Sequence, residues 1–493
     1  MSHAATVRGA ALWSMGAQYI AFAIQFVVSV VISRFFLSPS EMGLYSIALS
    51  AAMMVSILQD FGISRFISGE KDLSDAQIRT CFSVSLIFAL SIGFVILALA
   101  WPVARFYGDA RLTPLLAIVA GSYLLVPFGI VPSALLQRDM DFRSIFLVNV
   151  GAAVVNAAVA LGLAAGGHSA FSLAWAAVAQ QGARAAIGLW RSGARPPFPP
   201  RLKGAGPILR FGSNASLLYI SSAVGTRSPE LVIGRVLTLT AVGLYGRAVS
   251  LAAQLQMLVS GAVDGVFYPA FARLRDEGAP LGAPYQRVVA AYSAATWPAM
   301  AFLGAAATPI VLMLYGPRWV GVAPLLLWVS LAQVFFTALP LHIELPILLG
   351  RIRRLVLLNV ADTVASVGLL LLGALWGLQW AAVSRLGYGI AWFAIYVGLM
   401  QTLTGFRWRA MLVIYAQSLI ATIATIAPLL AAYRWFVAPA AMHFGQLALC
   451  ALLGCAGWGV AIFAVRHPVR HEVLAVAQGV LSRLPAGRVP RRG

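Results

Sequence analysis

Long, uninterrupted apolar runs constrain this chain more than any other feature. Ala11–Ile32, Cys81–Val103 and Leu355–Trp376 each exceed the roughly 20 residues that an α-helix needs to cross a bilayer. Similar runs recur along the whole length, and only 10% of the 493 residues are charged, against about 25% in a soluble domain. Because such a chain cannot cover its surface in water, we predict an all-α, polytopic membrane protein.

The breaks between the apolar runs predict about fourteen transmembrane helices. They are placed near residues 11–33, 42–64, 80–101, 113–136, 145–164, 170–190, 211–234, 242–268, 288–314, 320–346, 355–375, 380–402, 410–432 and 444–465. With the N-terminus inside, most of the 35 Lys and Arg residues fall in inner loops, which is the bias that sets orientation. The few in outer loops are Arg34, Arg105, Arg111, Arg235, Arg318 and Arg434. Both termini are therefore predicted to be cytoplasmic.

The formal net charge of +20 raises the question of a nucleic-acid partner. Its concentration in inner loops instead favours contact with anionic lipid headgroups, so we predict no nucleic-acid binding. The three cysteines and six histidines show no metal-ligand spacing. We therefore predict no metal, no cofactor and no catalytic residue. Trp101, Trp319 and Trp408, near predicted helix ends, are interpreted as interface anchors.

One segment of the sequence occurs twice, half the chain apart. Val31–Arg34 precedes Gly43-Leu44-Tyr45, and Val232–Arg235 precedes Gly243-Leu244-Tyr245. An even number of predicted helices separates the copies, so both have the same orientation. Transporters built from such parallel repeats bind substrate near the repeat interface and rock one half against the other.

The repeat and a proline-rich stretch divide the chain into regions. A stretch with this density of proline forms a stiff connection. The predicted regions are an N-terminal lobe over 1–195, a basic linker over 196–210, a C-terminal lobe over 211–403, two extra helices over 404–466 and a basic cytoplasmic tail over 467–493.

Several motifs, in this order along the chain, resemble those of the Wzx-type oligosaccharide flippases. They are Phe35–Tyr45 (FFLSPSEMGLY), Asp60–Arg65 (DFGISR), Ala134–Arg143 (ALLQRDMDFR), Glu230–Ala248 (ELVIGRVLTLTAVGLYGRA), Val266–Leu274 (VFYPAFARL) and Tyr315–Trp319 (YGPRW). This family belongs to the multidrug/oligosaccharidyl-lipid/polysaccharide (MOP) exporter superfamily, with the multidrug exporters of the MATE type and the lipid II flippases.

The resemblance implies a flippase of the bacterial inner membrane. Its substrate would be an undecaprenyl-diphosphate-linked oligosaccharide, moved from the cytoplasmic to the periplasmic leaflet for lipopolysaccharide or exopolysaccharide assembly. The sugar and diphosphate would cross a polar cavity between the lobes while the polyprenyl tail stays in lipid. The expected partners are this substrate, membrane lipids and the polysaccharide polymerase machinery.

Charged side chains inside predicted spans are the candidate site residues, because they are costly there unless paired or hydrated. Arg227 and Glu230 flank Pro229, which interrupts the helix. The Arg227 guanidinium is a candidate diphosphate ligand; the alternative is an ion pair with Glu230 three residues on. Arg247 lies in the repeated segment and is a second cavity candidate, ahead of Arg385.

The remaining candidates are two outer arginines and four acids. Arg34 and Arg235 are equivalent through the repeat and either form cationic posts at the outer mouth of the cavity or snorkel to the headgroups. The acidic candidates for cation coupling or gating are Asp60, Asp264, Glu344 and Asp362.

Two other functions stay open from the sequence. A cation-coupled multidrug exporter predicts acidic cavity residues in the N-terminal half, where Asp60 is the only acid placed inside a predicted span. A membrane polysaccharide polymerase or ligase predicts catalytic acids and histidines on a large extramembrane loop. The longest internal loop is short and rich in Arg and Pro, so a transporter is favoured over an enzyme.

Overall fold

A computed structural model describes residues 3–56, 59, 63–70, 73–193, 201–203, 205–206, 225, 227–472 and 474. For residues 3–12, 14–15, 65, 260–266 and 268–269 it describes the backbone alone. These described residues form helices joined by short turns and contain no strand, which confirms the all-α prediction. The linker over 196–210 and the tail over 467–493 lie largely outside them.

Most of the described helices follow one another with few residues between them, and between residues 193 and 227 the chain lies largely outside the described residues. The first six are α1 (His3–Val31), α2 (Pro39–Val55), α3 (Ile63–Gly69), α4 (Asp75–Tyr107), α5 (Leu112–Leu124) and α6 (Val126–Arg138). The middle of the chain forms α7 (Phe142–Ala165), α8 (Phe171–Ser192), α9 (residues 227–236), α10 (Leu239–Asp276), α11 (Gly282–Ala305) and α12 (Ala307–Tyr315). The last six are α13 (Val322–Phe336), α14 (Glu344–Leu348), α15 (Ile352–Leu375), α16 (Leu378–Thr404), α17 (Trp408–Trp435) and α18 (Phe444–Ala464).

Within the described residues, nine stretches are long and apolar enough to cross a membrane. They are Gly16–Phe36, Asp75–Tyr107, Leu112–Arg138, Phe142–Ala165, Gly282–Ala305, Ile352–Leu375, Leu378–Thr404, Trp408–Trp435 and Phe444–Ala464. Four further predicted spans contain the shorter or more polar helices α2, α8, α10 and α13. The predicted span over 211–234 lies mostly outside the described residues. The chain is a multi-pass membrane protein.

Three spans predicted as single helices are broken, each just before a proline. The break between α5 and α6 precedes Pro127, the one between α11 and α12 precedes Pro309, and α13 ends before Pro340. Proline donates no hydrogen bond to the carbonyl four residues back, and its ring clashes there. A fourth predicted span, 42–64, is also shorter than expected, because α2 ends at Val55.

The chain forms two compact units. The first comprises Met1–Arg247, Leu314–Trp319 and Ser366–Ala381. Within it α7 packs against both α1 and α8, and α5 packs against α4 and α8. The buried face of α7 carries Ala152, Ala153 and Ala160. Small side chains let helix backbones approach closely, which is how helices associate where lipid removes the hydrophobic driving force.

The second unit comprises Ala248–Met313, Val320–Ala365 and Ala382–Gly493. In it α17 packs against α11 and α18. A Cβ on Gly457 would lie 2.7 Å from the carbonyl oxygen of Ala424, so α17 and α18 cross at nearly backbone contact. The indole Nε1 of Trp458 donates to the carbonyl of Ala294 on α11 over 2.8 Å. These contacts place the last two helices, whose position the sequence left undetermined.

Large apolar side chains remain exposed along the helices, as expected for a surface that faces lipid. Phe94, Val364 and Leu452 are 72%, 67% and 69% exposed. Trp376 and Trp435, at or next to the ends of α15 and α17, are 75% and 71% exposed. Tryptophan at helix ends is typical of the membrane interface.

Candidate functional site

The second helix of each copy of the repeated segment starts in the same way. In the first copy the Ser38 hydroxyl accepts from the backbone N–H of Glu41, and α2 begins at Pro39. In the second, the Thr238 hydroxyl accepts from the backbone N–H of Ala241 over 3.1 Å, and α10 begins at Leu239. An N-cap hydroxyl thus starts the equivalent helix in both copies.

These two helices touch each other through a pair of glycines. A Cβ on Gly43 would overlap the carbonyl oxygen of Leu239 and lie 3.1 Å from the backbone nitrogen of Gly243. A Cβ on Gly243 would overlap the carbonyl oxygen of Pro39 and lie 3.2 Å from the nitrogen of Gly43. The contact is reciprocal, as contacts about a two-fold axis are. We call it the glycine contact.

A second reciprocal pair of contacts has different chemistry in its two halves. Ile47 of the first copy packs on Gly234, where an added Cβ would lie 2.6 Å from the Ile47 Cδ1 atom. Arg247 takes the equivalent place in the second copy and meets Ser33, with Nη2 donating to the Ser33 hydroxyl over 2.6 Å. The same repeat position is therefore apolar in one half and cationic in the other.

The buried Arg247 guanidinium is surrounded by two serine hydroxyls and two aromatic rings. The side chain is 6% exposed, and its Nη1 donates to the hydroxyl of Ser29. Its central carbon lies 5.1 Å from the ring centroid of Tyr315 and 5.4 Å from that of Trp319, distances at which aromatic faces attract cations. Among the described residues no carboxylate forms a salt bridge with it, and its Nε has no hydrogen-bond partner.

A Tyr-Gly turn from each half packs on the first helix of the other half. The Tyr107 hydroxyl donates to the carbonyl of Leu231 on α9 over 3.0 Å, just before Gly108, whose φ is 70°. Tyr315 precedes Gly316, whose φ is 83°. The repeated Tyr-Gly pair was the sequence signal for these contacts, and the sequence interpretation missed it.

Trp319 is the last residue of the second of these turns, and its ring covers the Arg247 guanidinium. Its Nε1 donates to the carbonyl of Ser33 over 2.7 Å, and the side chain is 0% exposed. The interpretation of Trp319 as an interface anchor is therefore wrong. Trp101 and Trp408 are 63% and 45% exposed, in keeping with that role.

Three other predicted arginines, Arg34, Arg227 and Arg235, lie on the same unit. Arg34 and Arg235 are exposed, and each guanidinium lies over a phenylalanine, at 5.8 Å from the centroid of Phe35 and 5.0 Å from that of Phe106. Arg227 is half-buried on α9, within electrostatic reach of Tyr123. Glu230, one turn along α9, is also half-buried.

Of the predicted acids, one lies in a polar cluster. Asp362 is half-buried in the second unit, and the Tyr396 hydroxyl donates to its Oδ2 over 3.4 Å. His342 stacks edge-on against Trp392 and Tyr396, with centroids 4.7 and 5.1 Å apart. Oδ1 of Asp362 is buried without a hydrogen-bond partner. These residues form the Asp362 cluster, beside which the Arg385 guanidinium lies 5.5 Å from the ring centroid of Phe336.

Of the other three predicted acids, the structure describes the side chain of one. Glu344 is exposed at the first residue of α14. Asp264 lies on α10, with its side chain outside the described residues, and Asp60 lies outside them entirely. Over the part of the chain that is described, no three His, Cys, Asp or Glu side chains group so as to hold a metal ion.

Residues 31–324 match the family described as "Polysaccharide biosynthesis protein". The chain is 26% identical over 411 residues to the succinoglycan biosynthesis transport protein ExoT of Rhizobium meliloti, covering 80% of this chain and 78% of that one. It is 23% identical over 327 residues to the lipopolysaccharide biosynthesis protein WzxC of Escherichia coli. That second match spans 65% of each chain, just under two thirds of the relative's length.

Two solved structures share the fold at low sequence identity. The lipid II flippase MurJ in an inward closed conformation superimposes with a TM-score of 0.73 and 13% identity, covering 92% of this chain and 99% of that one. An inward-facing multidrug MATE transporter of the MOP superfamily gives a TM-score of 0.53 and 15% identity, covering 78% and 96%.

Proposed function

The chain belongs to the polysaccharide biosynthesis protein family, and from this premise we propose that it is a flippase for undecaprenyl-diphosphate-linked oligosaccharide repeat units. It moves them from the cytoplasmic to the periplasmic leaflet of the bacterial inner membrane by alternating access. The sequence match to a succinoglycan biosynthesis transport protein over 80% of the chain carries this proposal. The proposed orientation, with both termini cytoplasmic, rests on the distribution of Lys and Arg.

The chemistry of the buried charges favours this cargo over a cationic drug. In the first unit Arg247 is buried, and the half-buried cations include Arg227, Arg138, Arg184 and Arg191; guanidinium groups bind phosphate oxygens bidentately. A multidrug exporter for cations requires acids in their place. A polymerase or ligase is disfavoured because the relative that matches 80% of this chain is named as a transport protein. Polysaccharide polymerase machinery is the partner that would receive the flipped product.

The glycine contact acts as the outer gate of the transport path. Predicted topology places the loops before Gly43 and Gly243 on the periplasmic side. Contact between the two glycines closes that end, and separation of α2 from α10 opens it. Arg247, held between α1 and the Tyr315–Trp319 turn in the closed state, then becomes available to the diphosphate, with Arg227 deeper along the path. Arg34 and Arg235 flank the outer mouth.

Deletion of the gene followed by lipid extraction tests the function. We expect full-length lipid-linked repeat units to accumulate in the inner leaflet and surface polysaccharide to fall, because assembly is blocked at flipping. The wild-type gene restores the polysaccharide, whereas Arg227→Ala restores it poorly at equal protein level. Arg434→Ala, which removes an exposed arginine at the end of α17, serves as the control and complements fully. Normal polysaccharide with altered drug tolerance in the deletion strain contradicts the proposal.

Asp362 couples transport to a cation or proton gradient in this scheme. Its carboxylate is half-buried, with one oxygen unpartnered, so it can take up a proton or cation. We expect Asp362→Asn to lower gradient-driven flipping in proteoliposomes about tenfold or more, the loss typical of a group that exchanges protons. Asp276→Asn is the matched control, because Asp276 is exposed and pairs with Arg275. An undiminished response of Asp362→Asn to the imposed gradient excludes this role.

A further inference from the structure

The second unit contains a cavity of about 540 Å³ that the proposed transport path does not use. It is lined at the points where α11 and α17 begin and just after α18 ends. Predicted topology places these three helix ends on the cytoplasmic side. Four arginines line the cavity: Arg287, Arg407, Arg409 and Arg466.

The lining of this cavity carries positive charge without an acid beside it. No acid is among its lining residues, and within the described residues none of the four arginines takes part in a salt bridge. Arg407 is the N-cap residue of α17, so the positive end of a helix dipole adds to their field. Cations scattered over inner loops set the orientation of the chain. Four cations that line a single cavity from separate segments also create a local positive potential that attracts anions.

Hydrogen bonds between the cavity walls make it a built site. On one wall, Gln417 Nε2 donates to the carbonyl of Val465 over 2.8 Å. On another, Gln286 Nε2 donates to the carbonyl of Arg407 over 3.4 Å. Each bond ties one of the helices to the chain segment that carries a neighbouring arginine. The walls are thereby held before any ligand binds, which lowers the entropy cost of binding.

A buried chain of polar groups lies close to these walls and joins the same three helices. The Ser418 hydroxyl is 2.8 Å from that of Ser293 and 3.1 Å from Nε2 of His467. Burial lowers the pKa of His467 to about 4, so this histidine is neutral at neutral pH and adds no charge. His467 follows Arg466, whose φ of 53° is typical of a residue that ends a helix. The backbone N–H of His467 closes that turn on the carbonyl of Ile462 over 3.0 Å.

Phosphate is the anion that this arrangement suits. Arginine forks bind phosphate oxygens bidentately, and basic pockets between transmembrane helices on the cytoplasmic side bind phospholipid headgroups. Val413 and Ile414 add an apolar wall against which the glycerol and upper acyl chain of a lipid can pack. We propose that this cavity binds the phosphate of an anionic inner-leaflet lipid, at a site separate from the transport path. The inference does not rest on the proposed function.

Binding to the full-length protein in neutral detergent tests the site. Native mass spectrometry would measure dissociation constants for cardiolipin, phosphatidylcholine and a polyprenyl diphosphate. We expect the wild type to bind cardiolipin in preference to phosphatidylcholine and Arg407→Gln/Arg409→Gln to bind it about thirtyfold more weakly. Arg353→Gln/Arg354→Gln removes the same charge from exposed residues outside the cavity. This control should change the constant by less than about threefold, since distant charges are screened.

The pattern of lipid binding in the wild type and the variants distinguishes the occupants of the cavity. Cardiolipin binding that the cavity variant loses assigns the phosphate to a bilayer phospholipid. Binding of the polyprenyl diphosphate alone, lost in the same variant, assigns the cavity to the substrate lipid and overturns a lipid site separate from the transport path. Equal losses in both double variants, or no lipid bound by the wild type, overturn the proposal. If Arg407→Gln/Arg409→Gln melts at a lower temperature, Arg287→Gln/Arg409→Gln tests the same cavity with a substitution on another helix.

Discussion

Gly43→Ala and Gly243→Ala are each expected to disable the transporter. The added methyl group would overlap a backbone carbonyl of the facing helix, and a backbone cannot move aside as a flexible side chain can. Overpacking of this kind costs about 1–3 kcal/mol, which shifts a two-state equilibrium about five- to 150-fold toward the state that lacks the contact. We expect oligosaccharide flipping to fall by about tenfold or more, because the outer gate no longer closes.

Accessibility of Ser33→Cys in a cysteine-free background reports the state of the gate. Ser33 is 1% exposed when the glycine contact is closed, so an impermeant thiol reagent should label it slowly in the wild type and faster in Gly43→Ala. Gly246→Ala is the matched control on the same helix, because its Cβ would meet only the Ser46 hydroxyl, at 3.9 Å. Since alanine favours helices, this control should be neutral or slightly stabilising. Wild-type labelling and transport in both gate variants would refute the gate.

Arg247→Met is expected to abolish transport without destabilising the fold. The equivalent contact in the first half of the chain is made by Ile47 on Gly234, so the fold does not require a cation at this position. Burying a charge without a counter-charge costs free energy, and among the described residues Arg247 has no salt bridge. We therefore expect an unchanged or higher melting temperature together with a loss of flipping of at least about tenfold, since a phosphate ligand is removed.

Two further variants separate charge from geometry at this position. Arg247→Lys keeps the charge but lacks the planar fork that reaches both Ser29 and Ser33, so it should recover only part of the activity. Ser29→Ala leaves the guanidinium in place, and we expect it to retain transport. The role is structural instead if Arg247→Met flips substrate normally, or if it fails to accumulate in the membrane.

Helix breaks and capping show how much local information the sequence carries. Pro127, Pro309 and Pro340 each lie three or four residues after a helix end, where we predicted unbroken spans, whereas Pro102, Pro298 and Pro428 lie inside continuous helices. The N-cap hydroxyls of Ser38 and Thr238 start equivalent helices, in line with the repeat. An N-cap depends on a few neighbouring residues and can be found by a local rule, whereas a proline by itself does not decide where a long helix breaks.

The candidate site was predictable only in part. The sequence showed that the two Gly-Leu-Tyr segments are equivalent and that Arg247 belongs to the second copy. It did not predict the reciprocal contact between Gly43 and Gly243. Nor did it reveal that Trp319 is buried against Ser33, because Trp near a helix end is more often an anchor. The cavity lined by four arginines was also not predicted, because these arginines come from three segments that are far apart in sequence.

The sequence by itself determined that the chain crosses the membrane many times, and it predicts an orientation and a relation between the two halves. Those properties follow from the length of apolar runs, the Lys and Arg bias and a repeated motif, all of which are read along the chain. Only the tertiary structure decided which side chains surround Arg247, that two glycines bring the repeats into contact, and that Arg287, Arg407, Arg409 and Arg466 line one cavity. These residues lie far apart in sequence, and only three-dimensional packing brings them together.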